Sequence, residues 1–190
     1  FHFTRLENIE TILRKGLVPR QPAPTFSILA TDDERNDGGL DCVCLSISFP
    51  NYRMFYTVRK NRFPSSTWCV LSLKPEILVN LPCLYFPYNA AKYSAWRDQL
   101  KWRSPTALEA MYSAEGRPEH LPIEHPTDVQ AEVQVEANIP LSMFLRLDFE
   151  NDDSLRKFRD AGIDVPNSIS VGTNWKLFSE RDFYLRKLRN

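Results

Sequence analysis

Gln130-Ala131-Glu132-Val133-Gln134-Val135-Glu136-Ala137 alternates without a break, with Ala131, Val133, Val135 and Ala137 facing one way and Gln130, Glu132, Gln134 and Glu136 the other. A side-chain period of two belongs to a β-strand, and apolar residues opposite polar ones belong to a strand with one side on a core. Just upstream, Pro118, Pro122 and Pro126 make residues 117–129 a loop. Gln130 and Glu132 therefore share one face at the start of a strand, directly after irregular chain.

Further strands are predicted over Phe1–Thr4, Cys42–Phe49, Thr67–Leu73, Leu81–Phe86 and Phe144–Phe149. Helical spacing of Leu6, Ile9, Ile12 and Leu13 predicts a helix stopped by Gly16. Pro50 opens a second helix bearing Tyr52, Arg53, Tyr56 and Arg59, and Asn89–Trp102 has helical character. Ser104-Pro105 starts a helix that runs towards Gly116, Asp152 or Asp153 caps one that ends at Gly162, and Ser179 with Asp182 starts a basic C-terminal helix. The acidic, proline-bearing residues 19–41 predict a surface loop able to cover a site. Strands and helices do not alternate regularly, so the chain is expected to be α+β, with flanking helices on a mixed or mainly antiparallel central sheet.

At 190 residues, 43% hydrophobic and 25% charged, the composition fits one domain spanning residues 1–190. No run of about 18 apolar residues occurs, so a soluble cytoplasmic protein without a membrane span is expected. Cys42, Cys44, Cys69 and Cys83 lack Cys-x-x-Cys spacing and are read as buried, reduced thiols rather than metal ligands. His120 and His125 fall in the proline-rich loop and are expected to face solvent, with too few neighbours to bind a metal.

Net charge is zero, which by itself counts against a nucleic-acid binder. Its distribution points the other way. Residues 49–103 carry nine Lys or Arg against two acids, and residues 104–154 carry eleven acids against two Arg. Twelve aromatics lie between Phe49 and Trp102, so cations and stacking rings share one stretch, as single-stranded nucleic acid or a nucleotide requires. Glycine-rich phosphate loops, a G-x-S-x-G elbow and H-E-x-x-H are all absent from the sequence.

Three polar strand segments remain: His2-Phe3-Thr4, Ser46-Ile47-Ser48 and Gln130-Ala131-Glu132. Their order resembles the ADP-ribosyltransferase layout, which ends in (Gln/Glu)-x-Glu. H-F-T-R-L-E-N-I-E-T-I-L-R-K-G-L, L-S-I-S-F-P-N-Y-R-M-F-Y, Y-N-A-A-K and P-T-D-V-Q-A-E-V-Q-V together are similar to the DarT family of nucleic-acid ADP-ribosyltransferase toxins, from His2 to about Val135.

The resemblance implies a single ADP-ribosyltransferase-like domain, NAD as co-substrate without a metal, single-stranded DNA as acceptor and a macrodomain-type or other antitoxin as partner. It makes Glu132 and Arg53 catalytic, and gives NAD contacts to His2, Thr4, Asn8, Ser46, Ser48, Tyr52, Arg53 and Tyr56, with Ser46 or Ser48 supporting the carboxylate. Gln130 would read the acceptor, while Lys92, Trp96, Arg97 and Lys101 would hold its phosphates and bases. The family arginine falls nearer Pro50, where this chain has Asn51, so Arg53 and Asn51 are the two positions open to it. RNA or protein as acceptor, and a noncatalytic nucleic-acid-binding module, are the alternative readings.

Overall fold

The computed structural model describes residues 1–21, 41–92, 100–113 and 116–181. β1 (His2–Arg5), β3 (Trp68–Leu73), β6 (Phe144–Phe149) and β7 (Ser170–Thr173) form one sheet in that order. β2 (Val43–Leu45), β5 (Glu132–Val135) and β4 (Cys83–Phe86) form a second, with β5 in the middle. All pairs are antiparallel except β6 with β7. The architecture is α+β and mainly antiparallel, as expected, but the strands divide between two sheets rather than sharing one.

β3 explains how the layers stack. Its alternate residues Cys69 and Leu71 enter the main core with Ile9, Ile12, Val133, Val135 and Leu147. Trp68 and Val70 point the opposite way, into a second cluster with Phe55, Val58, Leu177 and Phe178. Helix α1 (Ile9–Lys15) contributes Ile9, Ile12 and Leu13 to the main core. Helix α2 (Tyr52–Thr57) buries Phe55 in the second cluster, where that ring stacks on Phe3 at 4.5 Å. Full burial of such a ring contributes about 1.5–3 kcal/mol, which fixes α2 against the outer side of the larger sheet.

Side-chain caps set the helix starts. Asn51 Oδ1 accepts from Met54 N at 3.2 Å to start α2, so Pro50 precedes the helix rather than lying in its first turn. A short α3 spans Ile77–Asn80. Ser104 caps α4 (Pro105–Ala110) through Ala107 N at 3.2 Å, and the helix ends well before Gly116. Helix α5 (Asp152–Asp160) is capped by Asn151 through Ser154 N at 3.0 Å, not by Asp152 or Asp153. Asn151 has the extended backbone a cap requires, while the two aspartates occupy the first turn, where negative charge meets the positive end of the helix.

The Cys42–Phe49 strand is shorter than expected: only Val43–Leu45 pairs, and the chain bends before Pro50. Residues 22–40, which hold most of the proposed covering loop, lie outside the described residues, as do 93–99, 114–115 and 182–190. Between them fall the middle of the Asn89–Trp102 segment, with Trp96 and Arg97, and the proposed C-terminal helix. Among the described residues no helix is long and apolar enough to cross a membrane.

Candidate active site

Glu132 opens β5 opposite Phe86 of β4. Its Oε2 accepts from the backbone N of Ala90 at 3.4 Å and its Oε1 from Gln134 Nε2 at 3.3 Å. Gln134 is wholly buried in the central strand, where an amide must find partners because an unpaired one costs about 1–3 kcal/mol. β2 and β4 flank β5 within the sheet, and the side that carries Gln134 is buried there. Sequence reading missed Gln134 as a partner of the carboxylate, although the same period of two that singles out Glu132 places Gln134 beside it.

β1 joins this strand through β2. His2 Nδ1 lies 2.9 Å from the carbonyl of Cys44, and Cys44 is directly opposite Gln134 in the register. Ser46 N donates to the carbonyl of Phe1 at 2.9 Å. Thr4 and Asn8 are buried and bond each other, Asn8 Nδ2 donating to Thr4 Oγ1 at 3.1 Å. The three polar segments read in the sequence are thus brought together, with His2 half-buried and Thr4 and Asn8 beneath the surface.

The two serines have other duties than holding Glu132. Ser46 Oγ accepts from Asn51 N at 3.1 Å, and Asn51 in turn caps α2. Ser48 Oγ lies 2.6 Å from His125 Nδ1. Support of the carboxylate by Ser46 or Ser48 is therefore replaced by support from Gln134 and Ala90, because the chain bends after Leu45 and turns the serines towards α2 and the loop. Solvent exposure of His125 is corrected as well. The ring is half-buried, edge-on to Phe49 at 6.2 Å, while His120 is exposed as expected.

That proline-rich loop is braced by two arginines. Arg117 donates to the carbonyls of His125 and Pro122, both at 2.8 Å, and Arg181 to those of Pro126 at 2.8 Å and Thr127 at 3.3 Å. The loop ends in a turn in which Gln130 N donates to Asp128 Oδ1 at 2.7 Å. Gln130 therefore precedes β5 rather than lying in it. Its side chain lines a groove of about 200 Å³ with Arg53, Met54, Thr57, Val58 and Arg62.

Between the two positions open to the family arginine, geometry separates the roles: Asn51 is a buried cap and Arg53 is exposed at the groove. Tyr52 is half-buried, while Tyr56 is 58% exposed on the outer side of α2. Arg59 turns inward, pairing with Glu150 at 2.7 Å and donating to the Phe178 carbonyl at 2.6 Å between the Phe55 and Phe178 rings. The basic stretch thus includes one structural cation. Lys92 and Lys101 are exposed and lie over the rings of Tyr88 and Trp102 at 4.9 and 4.5 Å.

All four cysteines are free, with Cys44 half-buried and the others buried. Asp41, Cys42 and Glu136 come within 4.8 Å of one another, but Arg103 already engages both oxygens of Glu136, one of them at 3.0 Å.

No curated protein matches the chain. Solved structures do. The Thermus sp. 2.9 DarT in complex with carba-NAD+ superposes with a TM-score of 0.59 at 14% identity, over 94% of this chain and 96% of that one. The same protein in complex with ADP-ribosylated ssDNA gives 0.55 at 14% identity, over 94% of each chain. Thermosipho africanus DarTG in complex with ADP-ribose gives 0.58 at 14% identity, over 93% of this chain and 50% of that one. These likenesses establish the fold. The family model described as ssDNA thymidine ADP-ribosyltransferase, DarT, matches residues 1–176, and the chain accordingly belongs to the DarT family.

Proposed function

We propose that this protein breaks the bond between nicotinamide and ribose in NAD and transfers ADP-ribose to thymine in single-stranded DNA. The observation that carries this reading is a half-buried carboxylate, Glu132, oriented by Gln134 and the Ala90 amide and two residues from a groove that holds Gln130 and Arg53.

The bonding electrons leave with nicotinamide, so positive charge develops on the ribose. Glu132 stabilises that charge in a partly dehydrated site, where electrostatic interactions are stronger than in water. A thymine in DNA has a single ring N–H. As its nitrogen forms the new bond to ribose, that proton is released, with Glu132 the nearby acceptor. Arg53 neutralises phosphate at the groove, Gln130 offers both an amide donor and a carbonyl acceptor to the base edge, and Tyr52 supplies a ring beside nicotinamide. His2, Thr4 and Asn8 shape the wall under the adenosine half of NAD, Thr4 and Asn8 by bonding each other. The complexes of Thermus DarT with carba-NAD+ and with ADP-ribosylated ssDNA support NAD as co-substrate and DNA as acceptor.

The test is mass spectrometry of a single-thymidine DNA strand, a thymidine-free strand and the matching RNA after incubation with the protein and NAD. One ADP-ribose on the first strand alone is expected, and Glu132→Gln lowers its rate by about 10²–10⁴-fold. Equal labelling of the thymidine-free strand rejects thymine as the target. A protein that binds NAD but labels only RNA or protein rejects the DNA acceptor. Arg53→Ala is expected to raise the KM for the oligonucleotide by about tenfold, the scale of a lost charge-assisted contact. An antitoxin partner belongs to the same proposal, and removal of the label from the strand by a macrodomain hydrolase checks the chemistry such a partner needs.

A further inference from the structure

Among the described residues Ser48 is the one non-glycine at positive φ, at 60°. Backbone of this kind persists where the surroundings hold it. What holds it here is the 2.6 Å contact between Ser48 Oγ and His125 Nδ1, with Phe49 packed edge-on to the imidazole.

The two residues stand just outside the groove, each next to an element that lines it. Ser46–Phe49 leads from β2 into α2, which supplies Arg53, Met54 and Thr57. His125 sits in the loop that ends in Gln130, the groove's opposite wall. Arg117 fixes the loop to itself through the carbonyls of Leu121, Pro122 and His125. Arg181 ties Pro126 and Thr127 to the chain that follows Phe178, which is packed against α2 through Phe55. The Ser48–His125 contact is a direct side-chain tie from this braced loop to the start of α2.

We propose that His125, oriented by Ser48, is a positioning residue that holds the Gln130 loop at a fixed distance from α2 and so directs the ribosyl cation to the base rather than to water. This rests on the transfer reaction proposed above. Both outcomes release nicotinamide with the electrons of the broken bond. Attack by the base forms a carbon–nitrogen bond and releases the ring proton, whereas attack by water forms a carbon–oxygen bond, releases a proton and yields free ADP-ribose. A wall displaced by about 1 Å penalises the first route by up to two orders of magnitude, since it needs an aligned nucleophile, and leaves the second open.

The experiment measures nicotinamide released and oligonucleotide labelled in the same reaction, for the parent and three variants. His125→Phe keeps the ring and removes its nitrogens. Ser48→Gly removes the hydroxyl at a backbone position glycine adopts freely, so it tests the tie even where the first variant folds poorly. His125→Asn returns a polar atom near the place of Nδ1. The expected result is about a tenfold fall in label per nicotinamide released for His125→Phe and Ser48→Gly, a higher KM for the oligonucleotide, recovery of most of the ratio in His125→Asn, and NAD hydrolysis within a few-fold of the parent in the two His125 variants, Ser48→Gly being read on the ratio alone. An unchanged ratio in His125→Phe and Ser48→Gly overturns the proposal, as does a parallel loss of both products that His125→Asn does not restore. A parent protein that labels no DNA defeats the transfer reading itself, which a changed ratio in the variants does not touch.

Discussion

At Glu132, the geometry makes the proposed catalysis depend on a neighbour that never needs to touch substrate. Gln134 gives its amide to Oε1, and its burial leaves little freedom to do otherwise. Replacing it with leucine keeps the volume and removes the donor, so the carboxylate loses one of its two described anchors. The expected outcome for Gln134→Leu is a fall in kcat of about 10²-fold with a nearly unchanged Kd for NAD, read by steady-state transfer beside NAD titration. A variant with parental kcat would show that Gln134 is dispensable for orienting Glu132. The place of Glu132 at a strand start was legible in the sequence from the alternation of residues 130–137. Gln134 was not, because alternation reveals which residues share a face and says nothing about whether another strand covers it. Arg59 shows the same limit from the other side, since a cation counted towards the basic stretch is consumed by Glu150 and the Phe178 carbonyl.

Elements were legible where a local rule governs their ends. Gly16 stops α1 and Ser104-Pro105 starts α4, as the cap and breaker rules require. Gly16 has a second constraint that sequence does not reveal. It stands at φ 80°, ψ −177°, where glycine alone is comfortable, and an added Cβ would lie 2.3 Å from the carbonyl oxygen of Ile139. That carbonyl also accepts from Leu17 N at 3.0 Å, so moving away would break the bridge between the chain after α1 and the chain after β5. Gly16→Ala is therefore expected to destabilise the protein by about 1–3 kcal/mol from backbone conformation, with the clash adding to it. Chemical denaturation checks this, and unchanged stability would mean that the Leu17–Ile139 bridge is dispensable. The parallel β6–β7 pair and the split into two sheets escaped the sequence because strand partners lie far apart in the chain. Their choice depends on which apolar faces meet, not on the pattern within either strand.

Across the whole molecule, the formal charge balance conceals how unevenly protons are held. The sequence showed the basic and acidic stretches, but the groups with the clearest upward shifts are uncharged ones in the core. On β4, Cys83 Sγ faces the Ile77 carbonyl at 3.5 Å and the Tyr85 hydroxyl donates to the Leu78 carbonyl. Burial pushes the Cys83 thiol from 9.0 up to about 11 and the Tyr85 phenol from 10.0 up to about 12. The folded protein thus keeps protons that the unfolded chain has already lost, and stability falls with pH wherever the unfolded state binds fewer protons. Their contribution is intact below pH 9, declines as first the thiol and then the phenol would ionise in the unfolded chain, and is lost as pH rises through about 11 and 12. Thermal unfolding followed from pH 8 to 11 should show a Tm that falls increasingly steeply above pH 9, and Cys83→Ala should make the earlier part of that slope shallower, the Cys69 thiol, which burial also pushes well up, supplying the rest. The substitution also creates a small cavity, which lowers Tm at every pH; the slope, rather than the Tm at one pH, is the readout. A parental slope between pH 9 and 10 in Cys83→Ala would exclude the Cys83 thiol as one of its sources.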